Sequence, residues 1–201
     1  MMKACFTGHR YLPSHLKDSI VSQIRASVIQ SRMNGYDTFY CGGALGFDTL
    51  AALEVIRLKK DYPDLKLCMV IPCKNQAARW TQKDRMLYEQ ILDKADETHV
   101  LSPIYYSGCM QVRNKYMVDH SSLCICYLTS FHGGTASTVR YADYRGLDII
   151  NLAMDLSLSY DRLREKPCYA IYTSPSAKEN ATTAPSFLLS DRKLRQKNIL
   201  T

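Results

Sequence analysis

Short, nearly unbroken apolar runs alternate with longer amphipathic stretches over most of the chain. The run Leu123-Cys124-Ile125-Cys126-Tyr127-Leu128 has no polar break, which predicts a strand buried on both faces in the middle of a parallel sheet. Lys3 to Gly8, Thr38 to Cys41, Leu65 to Ile71, Thr98 to Leu101 and Asp148 to Leu152 predict further strands. Between them lie stretches with helical spacing. Leu16, Ile20, Ile24 and Val28 recur every four positions, in a helix opened at Pro13-Ser14 and ended by Asn34-Gly35. More helices are predicted over Phe47 to Lys60, from a Thr81 cap to Lys94, from Met110 to about His120, and from Val139 to Arg145. This alternation implies right-handed crossovers, so the expected class is α/β, a doubly wound parallel sheet with helices on both faces. Such sheets bind ligands past the carboxyl ends of their strands, where the strand order reverses.

Three glycine-bearing turns follow the first, second and fifth of these strands, and all should meet at that edge. Gly133-Gly134-Thr135, with Ala136-Ser137-Thr138 behind it, is the strongest candidate anion site. Glycine lets a backbone come close, and the first N–H groups of a helix point at an anion. Gly42-Gly43-Ala44-Leu45-Gly46 precedes the second helix, whose first turn carries Asp48. That carboxylate suits a ribose hydroxyl, a general base or a simple cap. Gly8, His9 and Arg10 form the third turn, with Arg10 or His9 placed to meet an anion or stack on a base. Arg113 and Asn114 open the fourth helix, where a guanidinium grips phosphate through paired hydrogen bonds. Asp119 ends the same helix against its dipole and so needs a partner. Arg113, Asp48 and Asp119 are the candidates for any catalytic role.

Composition narrows the classes. The chain has 201 residues, of which 46% are hydrophobic, enough for one globular domain. No apolar run approaches the roughly 20 residues of a membrane span, and Lys3 enters a strand with no signal peptide before it, so no membrane partner is expected. The eight cysteines stand singly or, at Cys124 and Cys126, on one face of a strand, which predicts buried thiols in a reduced cytoplasmic setting. Neither the histidine nor the cysteine spacing suggests a metal, no Walker lysine follows a glycine loop, and no cofactor is expected. The net charge of +7 is uneven: residues 156–201 hold 8 Lys and Arg against 4 Asp and Glu. The pattern fades there, so residues 1–155 read as the ligand-binding domain and 156–201 as a flexible, partly disordered extension. Within that extension Tyr169 to Tyr172 suggests an edge strand, and Thr173 to Ser186 a linker.

Several segments, in order, carry a likeness to a known family. They are Phe6-Thr7-Gly8-His9-Arg10, Gly43-Ala44-Leu45-Gly46-Phe47-Asp48-Thr49, Tyr62-Pro63-Asp64, Ile71-Pro72, Cys109 to Asp119 and Gly133-Gly134-Thr135. Together these resemble the SLOG superfamily, which joins the DNA-processing protein A family to the lonely-guy phosphoribohydrolases, and within it the YpsA-like DUF1273 group. The resemblance spans roughly Met2 to Leu152. It implies a Rossmann-like fold and a nucleotide or nucleotide-derived ligand. The lonely-guy pattern has an arginine in Met-x-x-Arg, matched by Met110-Gln111-Val112-Arg113, and a glutamate in Pro-Gly-Gly-x-Gly-Thr-x-x-Glu. Here His132, Ala136 and Ser137 depart from the second pattern, and Arg140 stands at the glutamate position. The expected function is therefore a non-catalytic sensor or regulatory module. Its alternatives are a nucleotide N-glycosidase and a single-stranded nucleic-acid binder, and a homodimer is a further expectation from related folds.

Overall fold

The computed structural model describes residues 2–153. Six strands form one sheet: β1 (Met2–Gly8), β2 (Tyr36–Cys41), β3 (Lys66–Ile71), β4 (Glu97–Val100), β5 (Leu123–Tyr127) and β6 (Asp148–Asn151). Five helices join them: α1 (Lys17–Met33), α2 (Phe47–Leu58), α3 (Gln82–Lys94), α4 (Cys109–Asp119) and α5 (Gly133–Tyr144). The strand order is β4-β3-β2-β1-β5-β6 and every neighbouring pair is parallel. The chain therefore steps outward from β1 in one direction as far as β4, crosses back, and steps outward again on the far side. The order reverses between β1 and β5.

Residues alternate across the pleat, which sorts them into two cores. Ala4, Phe6, Phe39, Leu67, Met69 and Ile125 pack against the apolar faces of α1, α2 and α3. Cys5, Tyr40, Cys68, Val70, Cys124 and Cys126 turn the other way, against α4 and α5. The doubly wound architecture expected from the alternation is the one present, as is the shared face of Cys124 and Cys126.

Local chemistry sets the element ends. Gly35, with φ of 91°, ends α1 after the Asn34 cap. Thr81 Oγ1 accepts from the Asp84 N–H at 3.2 Å and donates to the Asp84 carboxylate at 2.8 Å, so the cap at α3 is as the spacing predicted. Tyr62-Pro63-Asp64 acts as a brace: the Asp64 carboxylate accepts from Arg32 Nε and Nη2, one edge of the guanidinium, at 2.9 to 3.0 Å, and Arg32 lies 4.7 Å over the Tyr62 ring. Several boundaries shift by one to four residues, α1 among them, which begins at Lys17 rather than at Pro13-Ser14, and one shifts by more. The helix expected from Val139 begins at Gly133 instead. Its first turns are rich in Thr and Ser, which favour turns when taken alone. Here Thr135, Ala136, Thr138 and Val139 are buried on the sheet, and that packing decides. The strand expected at Tyr169 to Tyr172, the linker and the basic extension lie outside the described residues.

Candidate functional site

Beyond the carboxyl ends of β1 and β5, at the reversal, lies a cavity of about 620 Å³. Gly8, His9 and Arg10 enter it from the turn after β1, and Asp48 from the first turn of α2. Arg113 and Asn114 of α4 and Gly134 and Thr135 of α5 complete that wall. Gly42, Gly43, Gly46 and Gly133 do not line it, and Asp119 is elsewhere: it accepts from Tyr141 Oη at 2.8 Å and from Arg145, bracing α4 against α5. That is the partner its place at a helix end demanded.

The glycines fall into two kinds. A methyl at Gly8 would lie 2.3 Å from the Phe47 ring, and one at Gly42 1.5 Å from Arg113 Nη1. Gly46 has φ of 85°, and a side chain there would lie 2.2 Å from the Arg10 carbonyl oxygen. These three make room for the protein's own atoms. Among the described residues nothing lies within 4 Å of the space a side chain would take at Gly134. The α5 N-terminus has no side-chain cap from His132 and no acidic residue in its first turn, so its free N–H groups face open space at the cavity.

Arg113 is the buried charge of the site. It is 5% exposed, yet Nε and Nη1 have no hydrogen-bond partner among the described residues. The nearest anion is Asp48, also 5% exposed, with Oδ2 3.9 Å from Nη1, too far for a hydrogen bond. Burial pushes the Asp48 carboxyl up to about 6, against the opposing pull of Arg113 and the amides of Ala44 and Gly42. Gln76, from the segment after β3, also lines the cavity. Its Nε2 donates to the Gly43 carbonyl at 2.8 Å, and its Oε1 is buried with no partner among the described residues. Other predicted residues are already engaged. His9 Nε2 accepts from the Thr129 N–H at 3.0 Å, and desolvation holds its imidazole below the usual range. Asn114 donates to Thr138 Oγ1 at 2.8 Å, tying α4 to α5. Arg140 donates to the Phe131 carbonyl at 3.0 Å, across the turn that enters α5.

Sequence reasoning missed Gln76 and Trp80. Both sit in an irregular segment with no glycine or periodic signal to mark it. Trp80 packs edge-on against Tyr88, 5.2 Å between centroids, and stands between this cavity and a neighbouring one of about 380 Å³ with Leu45, Leu50, Leu53 and Leu87 on its walls. The edge thus offers a polar end at Arg113 and α5 and an apolar end beside Trp80.

Comparison with known proteins follows the same outline. The chain is 32% identical over 160 residues to the SPbeta prophage-derived protein YoqJ of Bacillus subtilis, covering 73% of this chain and 92% of that one. It is 34% identical over 85 residues to a UPF0398 protein of Staphylococcus epidermidis, a match spanning about half of that relative, 45% of its length. Two solved structures share the fold at low identity. DNA processing protein A from Streptococcus pneumoniae superposes with a TM-score of 0.55 at 18% identity, over 74% of this chain and 49% of that one. The Helicobacter pylori protein of the same name, solved for its mode of binding single-stranded DNA, gives 0.54 at 17% identity, over 82% and 72%. The family model YpsA, described as the YspA SLOG family, matches residues 14–145, more than half of the sequence. The chain belongs to this family of SLOG proteins.

Proposed function

We propose that the cavity at the β1–β5 reversal takes a nucleotide or nucleotide-derived anion, and that the protein works as a cytosolic ligand-responsive module. The observation that carries this reading is that two residues lining the cavity, Arg113 and Gln76, bury polar side-chain atoms (Arg113 Nε and Nη1, Gln76 Oε1) that have no partner among the described residues. A buried polar group without a partner costs roughly 1–3 kcal/mol, more when charged. A ligand with an anionic oxygen and a nearby donor would recover that cost. The phosphate would lie between Arg113 and the N–H groups of Gly134 and Thr135, and the base toward Trp80. Calorimetry with the whole chain and a panel of nucleotides, including ADP-ribose and cyclic nucleotides, tests it. Binding that weakens at least tenfold on Arg113→Ala and on Gly134→Val is expected. No binding by the native protein, or affinities unchanged by both substitutions, rejects the reading.

A second reading, single-stranded nucleic acid, draws on the fold shared with the Helicobacter pylori protein and on the charge of +7. Phosphate-driven binding should fall steeply with salt, and a gel shift that is absent or indifferent to salt removes it. A phosphoribohydrolase activity would need another carboxylate to serve in place of Arg140, whose guanidinium is tied to Phe131.

A further inference from the structure

A second group of chemically active side chains lies away from the cavity, toward the amino ends of the two outermost strands on the β4 side. Glu97 and His99 stand two apart on β4 and so share a face, and the parallel register sets Cys68 of β3 opposite Glu97. One ligand atom from each lies within 4.8 Å of the others. Glu97 Oε2 is 3.3 Å from His99 Nε2 and 3.8 Å from Cys68 Sγ. In a zinc tetrahedron, bonds of about 2.0–2.3 Å put neighbouring ligand atoms roughly 3.5 Å apart. Two of the three spacings here are close to a tetrahedral edge, and the third, between Cys68 and His99, is within 4.8 Å.

We propose that Cys68, Glu97 and His99 bind one zinc-class divalent cation, with a fourth position left to water. Thiolate, imidazole and carboxylate together suit zinc rather than magnesium or calcium, which prefer oxygen alone. On binding, the Cys68 S–H bond is replaced by a metal–sulfur bond and its proton passes to solvent. His99 takes the tautomer with its ring proton on Nδ1, which frees the Nε2 lone pair for the metal, and Glu97 exchanges its two hydrogen bonds, from Nε2–H and from Cys68 S–H, for coordination. One nearby charge opposes the cation. Lys3 Nζ, held 3.1 Å from Tyr40 Oη, acts on both Cys68 and Glu97. The consequence for the fold is a clamp. β4 is a short edge strand with largely exposed residues, and the ion would pin it to β3. The site is independent of the ligand proposed for the cavity.

The test uses the full chain, Zn²⁺ alone by calorimetry and Co²⁺ alone by absorption. One equivalent of Zn²⁺ should bind and displace Co²⁺. The Co²⁺ form should show a thiolate-to-metal charge-transfer band that Cys68→Ser abolishes. Glu97→Gln and His99→Ala should each weaken Zn²⁺ at least tenfold, and Lys3→Met should strengthen it several-fold. The Glu97 and His99 side chains are 58% and 40% exposed, so those variants keep the question open to measurement if the buried Cys68→Ser fails to fold. No saturable Zn²⁺ binding, a band that survives Cys68→Ser, or affinities unchanged in both exposed variants overturns the proposal.

Discussion

Of the helix N-termini that meet at the cavity, those of α2 and α5 are finished in opposite ways. At α2 the protein closes the end with its own atoms. The Phe47 N–H donates to the His9 carbonyl at 3.1 Å, Asp48 supplies an anion in the first turn, and Gly46 lets the two backbones touch. At α5 there is no acid, no cap and open space at Gly134. In sequence the two turns look alike, since both are small residues and glycines ahead of a helix. The difference shows that a glycine-rich turn has two distinct uses. It either accommodates a neighbour within the fold, or it leaves a place for something from outside. Only the α5 end of this pair is of the second kind.

The strongest way to break that distinction is to put a methyl at the closed end. Gly8→Ala drives a carbon into Phe47, which is fully buried and stacks on Tyr127 with 6.2 Å between centroids. Gly46→Ala meets a carbonyl oxygen and must also hold a left-handed φ. Each should destabilise the fold by about 3 kcal/mol, the upper part of the usual overpacking range. Urea midpoints measure this, and a midpoint that stays at the wild-type value would mean these glycines are not packing positions.

A somewhat smaller effect isolates the internal anion. The Asp48 carboxyl titrates near 6 in the fold against an ordinary value of 3.8. Between those values the folded chain holds a proton that the unfolded chain has lost, so Asp48 makes stability fall as pH rises through that window and level off above it. At about 1.4 kcal/mol per pH unit, the loss sums to about 3 kcal/mol at most, and less where solvent screens the pair. Asp48→Asn should erase this component. The stability difference between variant and wild type should move in the variant's favour between pH 4 and 6, and then stay constant. The same charge competes with a ligand for Arg113. A cyclic nucleotide, whose phosphodiester does not titrate there, should bind wild type more tightly at pH 5 than at pH 7, and Asp48→Asn should remove that dependence. A pH-independent affinity in wild type would separate Asp48 from the ligand.

The centre of the sheet was legible because β1, β2, β3 and β5 are buried on both faces, and such a strand announces itself without help from its neighbours. Gly8, Arg113 and Gly134 were readable as features of one edge because the topology of alternating strands and helices places every strand-to-helix turn there. What each residue does at that edge was not readable. Gly42 was expected to come near a ligand, but it makes room for the Arg113 guanidinium, a contact between residues far apart in sequence. Gln76 and Trp80 carry no local signature at all. Glu97 and His99 were hidden for a related reason: only the register of β4 on β3 sets them beside Cys68, and polar residues on an exposed edge strand carry no pattern that foretells it.

The smallest stability effect tests the open end. Gly134 is the second residue of α5, its φ is not in the left-handed region, and no atom of the described residues occupies the side-chain direction. Alanine there loses less backbone freedom on folding than glycine does, so Gly134→Ala should raise stability by about 0.5 kcal/mol, less than the full helix-interior difference because the position lies in the first turn. The sign is the informative part, since the same substitution at Gly8 or Gly46 should destabilise. A ligand whose phosphate sits against this turn would feel the added methyl directly, so nucleotide affinity should fall while the urea midpoint rises. Stability and binding moving in opposite directions at one atom is hard to obtain from a glycine kept for the fold. A Gly134→Ala protein that is less stable than wild type would place this turn with the closed end of α2 and remove the reason to look for a ligand there.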